Sequence, residues 1–197
     1  NIPAIVHAWY PGEEGGAALA DVLFGDYNPA GRLPVPIYRS TEELPPFDDY
    51  RMEGRTYRYY AGKPLYPFGF GLSYTEFELA ELRVDRAEAP IGGLVTLSVE
   101  VSNAGDRAGD EVVQLYARYP DRAMSHPIQE LKGFLRLRLE PGERKNVTFR
   151  VHTHLLGRYD ESMRYVVEPG DVELLVGNSS AHLRLSTHVM IVGSASE

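Results

Sequence analysis

The sequence predicts a mainly β fold: an immunoglobulin-like β-sandwich preceded by a strand–helix piece of an α/β domain and an aromatic connector. Three observations carry this. From Tyr74 onward, apolar and polar residues alternate in short runs separated by turn signals, the pattern of half-buried strands. Before Gly25 a short apolar run is followed by an apolar face of helical period. Between these halves lies Pro64-Leu65-Tyr66-Pro67-Phe68-Gly69-Phe70-Gly71-Leu72-Ser73-Tyr74-Thr75. Proline fixes φ and lacks an N–H, and glycine permits close backbone approach, so this run is poor regular structure. Its aromatics still need a surface to pack on, which favours a rigid connector over a floppy linker.

Ala4 to Trp9 is an apolar run of the kind found in a buried parallel strand, ended by Pro11-Gly12. Glu13, Glu14 and a glycine pair lead into Ala17 to Phe24, where Leu19, Val22 and Leu23 share one helix face. Acidic residues at the start and Gly25 at the end fit helix start and stop rules. One strand and one helix cannot stand alone, because a parallel strand needs neighbours and helices on both faces. The expectation is therefore a truncated domain that starts inside a longer protein. In keeping with this, the first residues lack the basic start and long apolar core of a signal peptide.

Residues 27–63 read as loop, with breaks at Asn28-Pro29-Ala30-Gly31, Leu33-Pro34-Val35-Pro36 and Leu44-Pro45-Pro46. Thr56 to Tyr60 reads as a short strand or an aromatic clasp. Strands are expected over Phe77–Val84, Val95–Val101, Val112–Tyr116, Leu135–Leu139, Asn146–Val151, Tyr165–Val167, Val172–Val176 and Leu183–Val192. Asn103-Ala104-Gly105, Glu140-Pro141-Gly142-Glu143 and Glu168-Pro169-Gly170-Asp171 supply turns between them. Short strands at regular spacing with such turns are the sandwich signature.

The 197 residues carry 43% hydrophobic and 24% charged side chains, ordinary for a globular chain. A net charge of −8 argues against nucleic acid or an anionic membrane as partner, since both need a basic face. Arg136 and Arg138 alternate with leucines and read as the solvated face of a strand. Without cysteine there is no disulfide framework and no thiolate metal site, which leaves the compartment open. No apolar run approaches the length of a membrane span.

Several segments together resemble the C-terminal part of glycoside hydrolase family 3, the β-glucosidase and β-xylosidase family. They are Pro11 to Gly16, Ala20 to Asp26, Asn28 to Pro34, the Pro64 to Thr75 run, Asn103 to Gly109, Glu111 to Tyr116, Glu130 to Phe134, Tyr159-Asp160 and Val167 to Gly170. They are collinear over nearly the whole chain. The resemblance implies a three-domain parent with a barrel, an α/β sandwich domain and a fibronectin type III-like domain. On that scheme residues 1–40 are the C-terminal remnant of the α/β domain, 41–71 the interdomain connector and 72–197 the fibronectin type III-like domain. Gly54 to Tyr60 resembles the bacterial β-xylosidase branch. The implied partners are the barrel and α/β domains of the parent chain and, through them, an oligosaccharide substrate. No cofactor is implied. A stand-alone fibronectin-like binding or adhesion module is the alternative.

Retaining glycoside hydrolysis needs a nucleophilic carboxylate and an acid/base carboxyl flanking the anomeric carbon. In the resembled family the aspartate lies in the barrel and the glutamate in the second domain, upstream of this sequence. No catalytic, cofactor-binding or metal residue is therefore expected here. Glu13 and Glu14 are explained by the helix start, and Glu42-Glu43 and Asp48-Asp49 by a polar loop. His152 and His154 lie two apart, as a pair of metal ligands would, but a third and fourth ligand are not identifiable. Surface histidines account for them. His7 beside Trp9 falls in the strand expected to be buried, with packing as the default reading. Arg51, Arg55, Arg58, Tyr57, Tyr59 and Tyr60 suit sugar stacking or, better, adhesion of the connector to neighbouring domains. Asn146-Val147-Thr148 and Asn178-Ser179-Ser180 match the glycosylation acceptor pattern, which means little without a secretory context.

Overall fold

Two β-sheets form the body of the computed structural model, which describes residues 2–120, 127–160 and 162–193. The strands are β1 (Phe77–Val84), β2 (Glu88–Pro90), β3 (Leu94–Asn103), β4 (Gly109–Arg118), β5 (Glu130–Leu139), β6 (Arg144–His152), β7 (Arg158–Tyr159), β8 (Tyr165–Val166), β9 (Gly170–Ser179) and β10 (His182–Val192). One sheet has the order β1-β3-β6 and the other β2-β10-β9-β4-β5, with β7-β8 as a separate ribbon. All pairings are antiparallel except β2 on β10. The period-two pattern becomes a core directly. Val95, Leu97, Val99 and Val101 of β3 point inward and meet Val147, Phe149 and Val151 of β6, Val113 and Leu115 of β4, and Val172, Leu174 and Val176 of β9. Such side chains contribute about 1.5–3 kcal/mol each on full burial.

Asn103 sits at one corner, 1% exposed, with every valence used. Its Nδ2 donates to the carbonyls of Arg107 and Leu139, and its Oδ1 accepts from Thr75 Oγ1 at 2.7 Å and the Gly105 N–H at 3.1 Å. A fully satisfied buried amide fixes the approach of three turns to one another. One of them is the Glu140–Glu143 turn, where Gly142 (φ 73°) donates its N–H to the Asn103 carbonyl.

The first 25 residues depart from expectation in one respect. Helix α1 (Gly15–Phe24) forms and ends on Gly25 in the left-handed conformation. Ala4 to Trp9 makes no strand ladder, and residues 2–10 are all exposed. The reason is physical: a strand is completed by its neighbour, and no other described segment pairs with this one. Trp9 adopts φ 54° instead. Helix α1 has no buried residue: of the expected apolar face, Leu19 and Leu23 are exposed and Val22 is half-buried, and Phe24 next to it is exposed as well.

Thr56–Tyr59 is a single helical turn, α2, and not a strand. Thr56 enters it at φ 55°, a conformation foreign to a β-branched residue in an extended ladder. No described helix is long and apolar enough to cross a membrane.

Candidate functional site

The connector lies on the outer face of the five-stranded sheet. Gln114 and Tyr116 on β4 and Leu175 on β9 alternate with the core residues and should face water, yet they are 2%, 0% and 5% exposed. What covers them is the connector. Tyr57 stacks on Phe68 with ring centroids 4.1 Å apart and meets Tyr116 edge-on at 6.0 Å. Such ring pairs add about 0.5–1.5 kcal/mol beyond burial. The Tyr57 hydroxyl accepts the Leu131 N–H at 3.0 Å. Burial pushes the Tyr57 and Tyr116 hydroxyls up from their ordinary pKa, so both stay protonated.

Gln114 is the central fastening. Its Nε2 donates to the carbonyls of Asn178 (2.7 Å) and Gly69 (3.2 Å), while its Oε1 accepts from the Tyr116 hydroxyl at 2.6 Å. Gly69 holds φ 79°, and a Cβ there would run into the Gln114 amide. Only glycine meets both demands. The brace is doubled along its length, because Leu33 to Ile37 runs antiparallel beside Leu65 to Phe70. Leu33 N–H donates to Phe70 at 2.9 Å, Gly69 N–H to Leu33 at 2.7 Å and Ile37 N–H to Tyr66 at 2.8 Å.

Two ion pairs seal the ends. Arg32 Nη2 lies 2.8 Å from Glu111 Oε1, with both side chains at least nine-tenths buried. Arg58 pairs with Glu130, which also receives Lys132 Nζ at 2.9 Å. Beyond the brace, Asn28 Oδ1 accepts the Tyr74 N–H, the Tyr74 hydroxyl donates to the Val22 carbonyl of α1, and Arg136 joins Asp110 to the Tyr27 hydroxyl. A groove of about 420 Å³ opens beside the brace, between Tyr57, Tyr60 and Pro64 on one side and Arg118, Gln129 and Ser180 on the other. Arg118 is held by Glu173 and Gln129, so among the described residues the groove does not offer a free cation. Chemically the arrangement fastens two parts of a protein together.

The sequence profile described as the glycosyl hydrolase family 3 C-terminal domain matches residues 1–74, and that of the fibronectin type III-like domain matches residues 111–180. The chain is 42% identical over 193 residues to the periplasmic β-glucosidase of Salmonella typhimurium, and 45% identical over 181 residues to the xylan 1,4-β-xylosidase of Xylanibacter ruminicola. The chain belongs to glycosyl hydrolase family 3.

Those matches cover 92% and 90% of this family 3 chain but only 25% and 20% of the two relatives, so it spans a quarter or less of their length. The solved structure of β-glucosidase 3B from Thermotoga neapolitana in complex with α-D-glucose superposes with a TM-score of 0.85 at 35% identity, over 95% of this chain and 28% of that one. The mainly β fold with a fibronectin type III-like domain is the family's own.

The residues singled out by sequence separate cleanly in this family 3 chain. Tyr57 and Arg58 fasten the connector to the sandwich, and Arg58 also lies 5.6 Å from the ring of Tyr59. Tyr60 turns edge-on to Tyr38 and donates its hydroxyl proton to Glu43 at 2.8 Å. Arg51 and Arg55 serve the loop that holds Asp48 and Asp49. Glu42 and Glu43 lie in a 3-10 turn capped by Ser40, and Glu13 and Glu14 precede α1 without a side-chain cap bond.

His152 closes β6, and its Nδ1 accepts the His154 N–H at 3.2 Å, so the two rings do not converge on one point. Among the described residues no group of three His, Asp or Glu is placed to hold a metal. His7 and Trp9 lie with their rings 4.2 Å apart and tilted by 42° in solvent, not in a buried strand. Asn146 is exposed on β6, whereas Asn178 is half-buried and bonded to His182. Sequence reasoning gave no role to Arg32, Glu111 or Gln114. For Glu111 and Gln114 the signal was present as a charged and an amide residue inside a strand otherwise rich in buried side chains, whereas Arg32 lies in a loop and carried none.

Proposed function

We propose that this chain is the C-terminal, structural portion of a retaining β-glycosidase that removes terminal β-D-xylosyl or β-D-glucosyl residues from oligosaccharides. The observation that carries the reading is 42% and 45% identity to a β-glucosidase and a β-xylosidase across at least 90% of the chain. The same alignments cover a quarter or less of either relative, which supports placing both catalytic carboxyl groups upstream. The acidic residues of the brace are committed elsewhere: Glu111 to Arg32, Glu130 to Arg58 and Lys132, and Glu43 to Tyr60.

In this scheme residues 1–40 complete an α/β domain, 41–71 connect, and 72–197 form the fibronectin type III-like domain. The unburied apolar side chains Ile5, Trp9, Leu23 and Phe24 would pack against the missing sheet and helices of that domain. The upstream nucleophile forms a glycosyl-enzyme and the upstream acid/base first protonates the leaving oxygen, then activates water. This chain's part is to hold the walls of that cleft in register.

The test is turnover of aryl β-D-xylosides and aryl β-D-glucosides by the full-length protein and by the isolated chain. Activity is expected in the first alone. Turnover by the isolated chain would contradict the assignment, and so would an inert full-length protein.

A further inference from the structure

Residues 44–55 form a loop that is held together by its own hydrogen bonds yet leaves its two aromatic side chains exposed. Arg55 is the internal strut. Its guanidinium donates to the carbonyls of Pro46 (3.0 Å), Asp49 and Arg51 (3.1 Å). A turn closes between the Asp49 N–H and the Pro46 carbonyl at 3.1 Å, and the Tyr38 hydroxyl fixes the Gly54 carbonyl at 2.9 Å. Asp49 accepts both Arg51 Nε and Nη2, and the Arg51 N–H as well. Among the described residues, the hydrogen bonds of this loop all close within residues 38–55.

On that frame Phe47 is 98% exposed and Tyr50 88%, with Leu44 and Met52 about half exposed beside them. A floppy loop with two loose rings would mean little. A loop whose backbone is clamped by one guanidinium has already lost the entropy that binding normally costs, which is how contact residues are preorganised. Large aromatics at the centre of an apolar patch with a polar rim are the composition of an interface hot spot. Asp48, between the two aromatics in sequence, is exposed and makes no hydrogen bond or ion pair among the described residues.

We propose that residues 44–52 are a preformed docking element for the upstream part of the same polypeptide, with Phe47 and Tyr50 as its anchors. The occupant is a concave apolar surface edged by a cation or by backbone N–H groups that meet Asp48. Two observations choose this occupant over a sugar. The relatives matched by this chain extend over three quarters or more of their length beyond it, so a large covering surface exists in such proteins. The loop also exposes four large apolar side chains within nine residues (Leu44, Phe47, Tyr50, Met52), whereas a sugar platform sets rings among many hydrogen-bonding groups. The inference rests on the reading of the chain as part of a longer glycosidase.

Carbodiimide coupling of an amine to carboxylates in the full-length protein, read by peptide mass spectrometry, tests it. Asp106, exposed on a turn of the sandwich, is the internal reference. Asp48 is expected to label at least tenfold more slowly than Asp106, and Phe47→Ala with Tyr50→Ala to bring its rate back toward the reference. Equal labelling of Asp48 and Asp106 in the unmodified protein overturns the docking element. So does protection of Asp48 that appears only when xylobiose or cellobiose is added, which would make the patch a sugar site. Loss of glycosidase activity in the unmodified protein, with Asp48 protected, would instead overturn the functional reading and leave the docking element standing.

Discussion

Arg32→Met removes the guanidinium from the brace while keeping most of the side-chain stem. It leaves Glu111, only 3% exposed, facing Arg32's former position with a full negative charge. Breaking a buried pair by removing one partner costs about 3–5 kcal/mol, because the survivor stays buried without compensation. Here Glu111 Oε1 keeps the Val112 N–H at 2.7 Å, a bond that offsets about 1 kcal/mol. The expected cost is therefore about 3 kcal/mol, or a fall in Tm of roughly 6–12 °C for a chain of this size. Arg32→Met with Glu111→Leu should return to within about 1 kcal/mol of the unmodified chain, since the buried charge is gone. Urea unfolding of the four proteins, followed by circular dichroism, gives the coupling directly. Amide exchange at Leu33 and Gly69, which hydrogen-bond across the brace, reports whether the loss is local. A cost below about 1 kcal/mol for Arg32→Met, or a double variant as unstable as the sum of its parts, refutes the reasoning.

Gly69→Ala should cost about 2–3 kcal/mol, from left-handed backbone strain and from displacing Gln114; an unchanged urea midpoint would show that the brace is slack there. Tyr57→Phe leaves the Leu131 N–H without its acceptor and should cost about 1 kcal/mol, whereas Tyr57→Leu also forfeits the Phe68 stack and should cost about twice that. The Arg51 side chain and N–H hold the Asp49 carboxyl down to about 2, below the usual 3.8. A depressed carboxylate stabilises the loop above the unfolded value and loses that contribution as pH falls through the folded one. A carboxyl carbon-shift titration should therefore find the Asp49 midpoint near 2, and a midpoint near 4 would remove the Arg51 clamp from the account. In the isolated chain, amides of residues 2–24 should exchange far faster than those of β3, β4 and β9; equal protection would reveal a core that α1 does not have.

Most of the sandwich was legible because period-two alternation is a local property, and it placed Val95 to Val101 and Val172 to Val176 correctly. The edges were less so. Glu88–Pro90 is a short parallel edge strand that contains proline, and nothing in its composition says strand. Ala4 to Trp9 failed for the opposite reason, since its composition says strand but no described segment pairs with it. Thr56 to Tyr59 carries β-prone residues, and the left-handed Thr56 turns them into a helical step that delivers Tyr57 to the sheet. At the brace, the types of Gln114 and Glu111 were visible but their partners were not. Those partners lie 45 and 79 residues away, and no local pattern reports a contact of that separation.

The doubled strand of the brace has one further effect. Ile37 and Leu65 are hydrogen-bonded to each other at 2.7 Å, so the chain between them leaves and re-enters at the same point. A loop with pinned ends can change length cheaply, at about 0.6 kcal/mol per doubling, because only its closure entropy changes. Within it Tyr57 and Arg58 are tied to the sandwich, so residues 38–55 are the exchangeable cassette. Evolution or an engineer can lengthen it, shorten it or rewrite what it presents, while the sandwich and its fastening stay as they are.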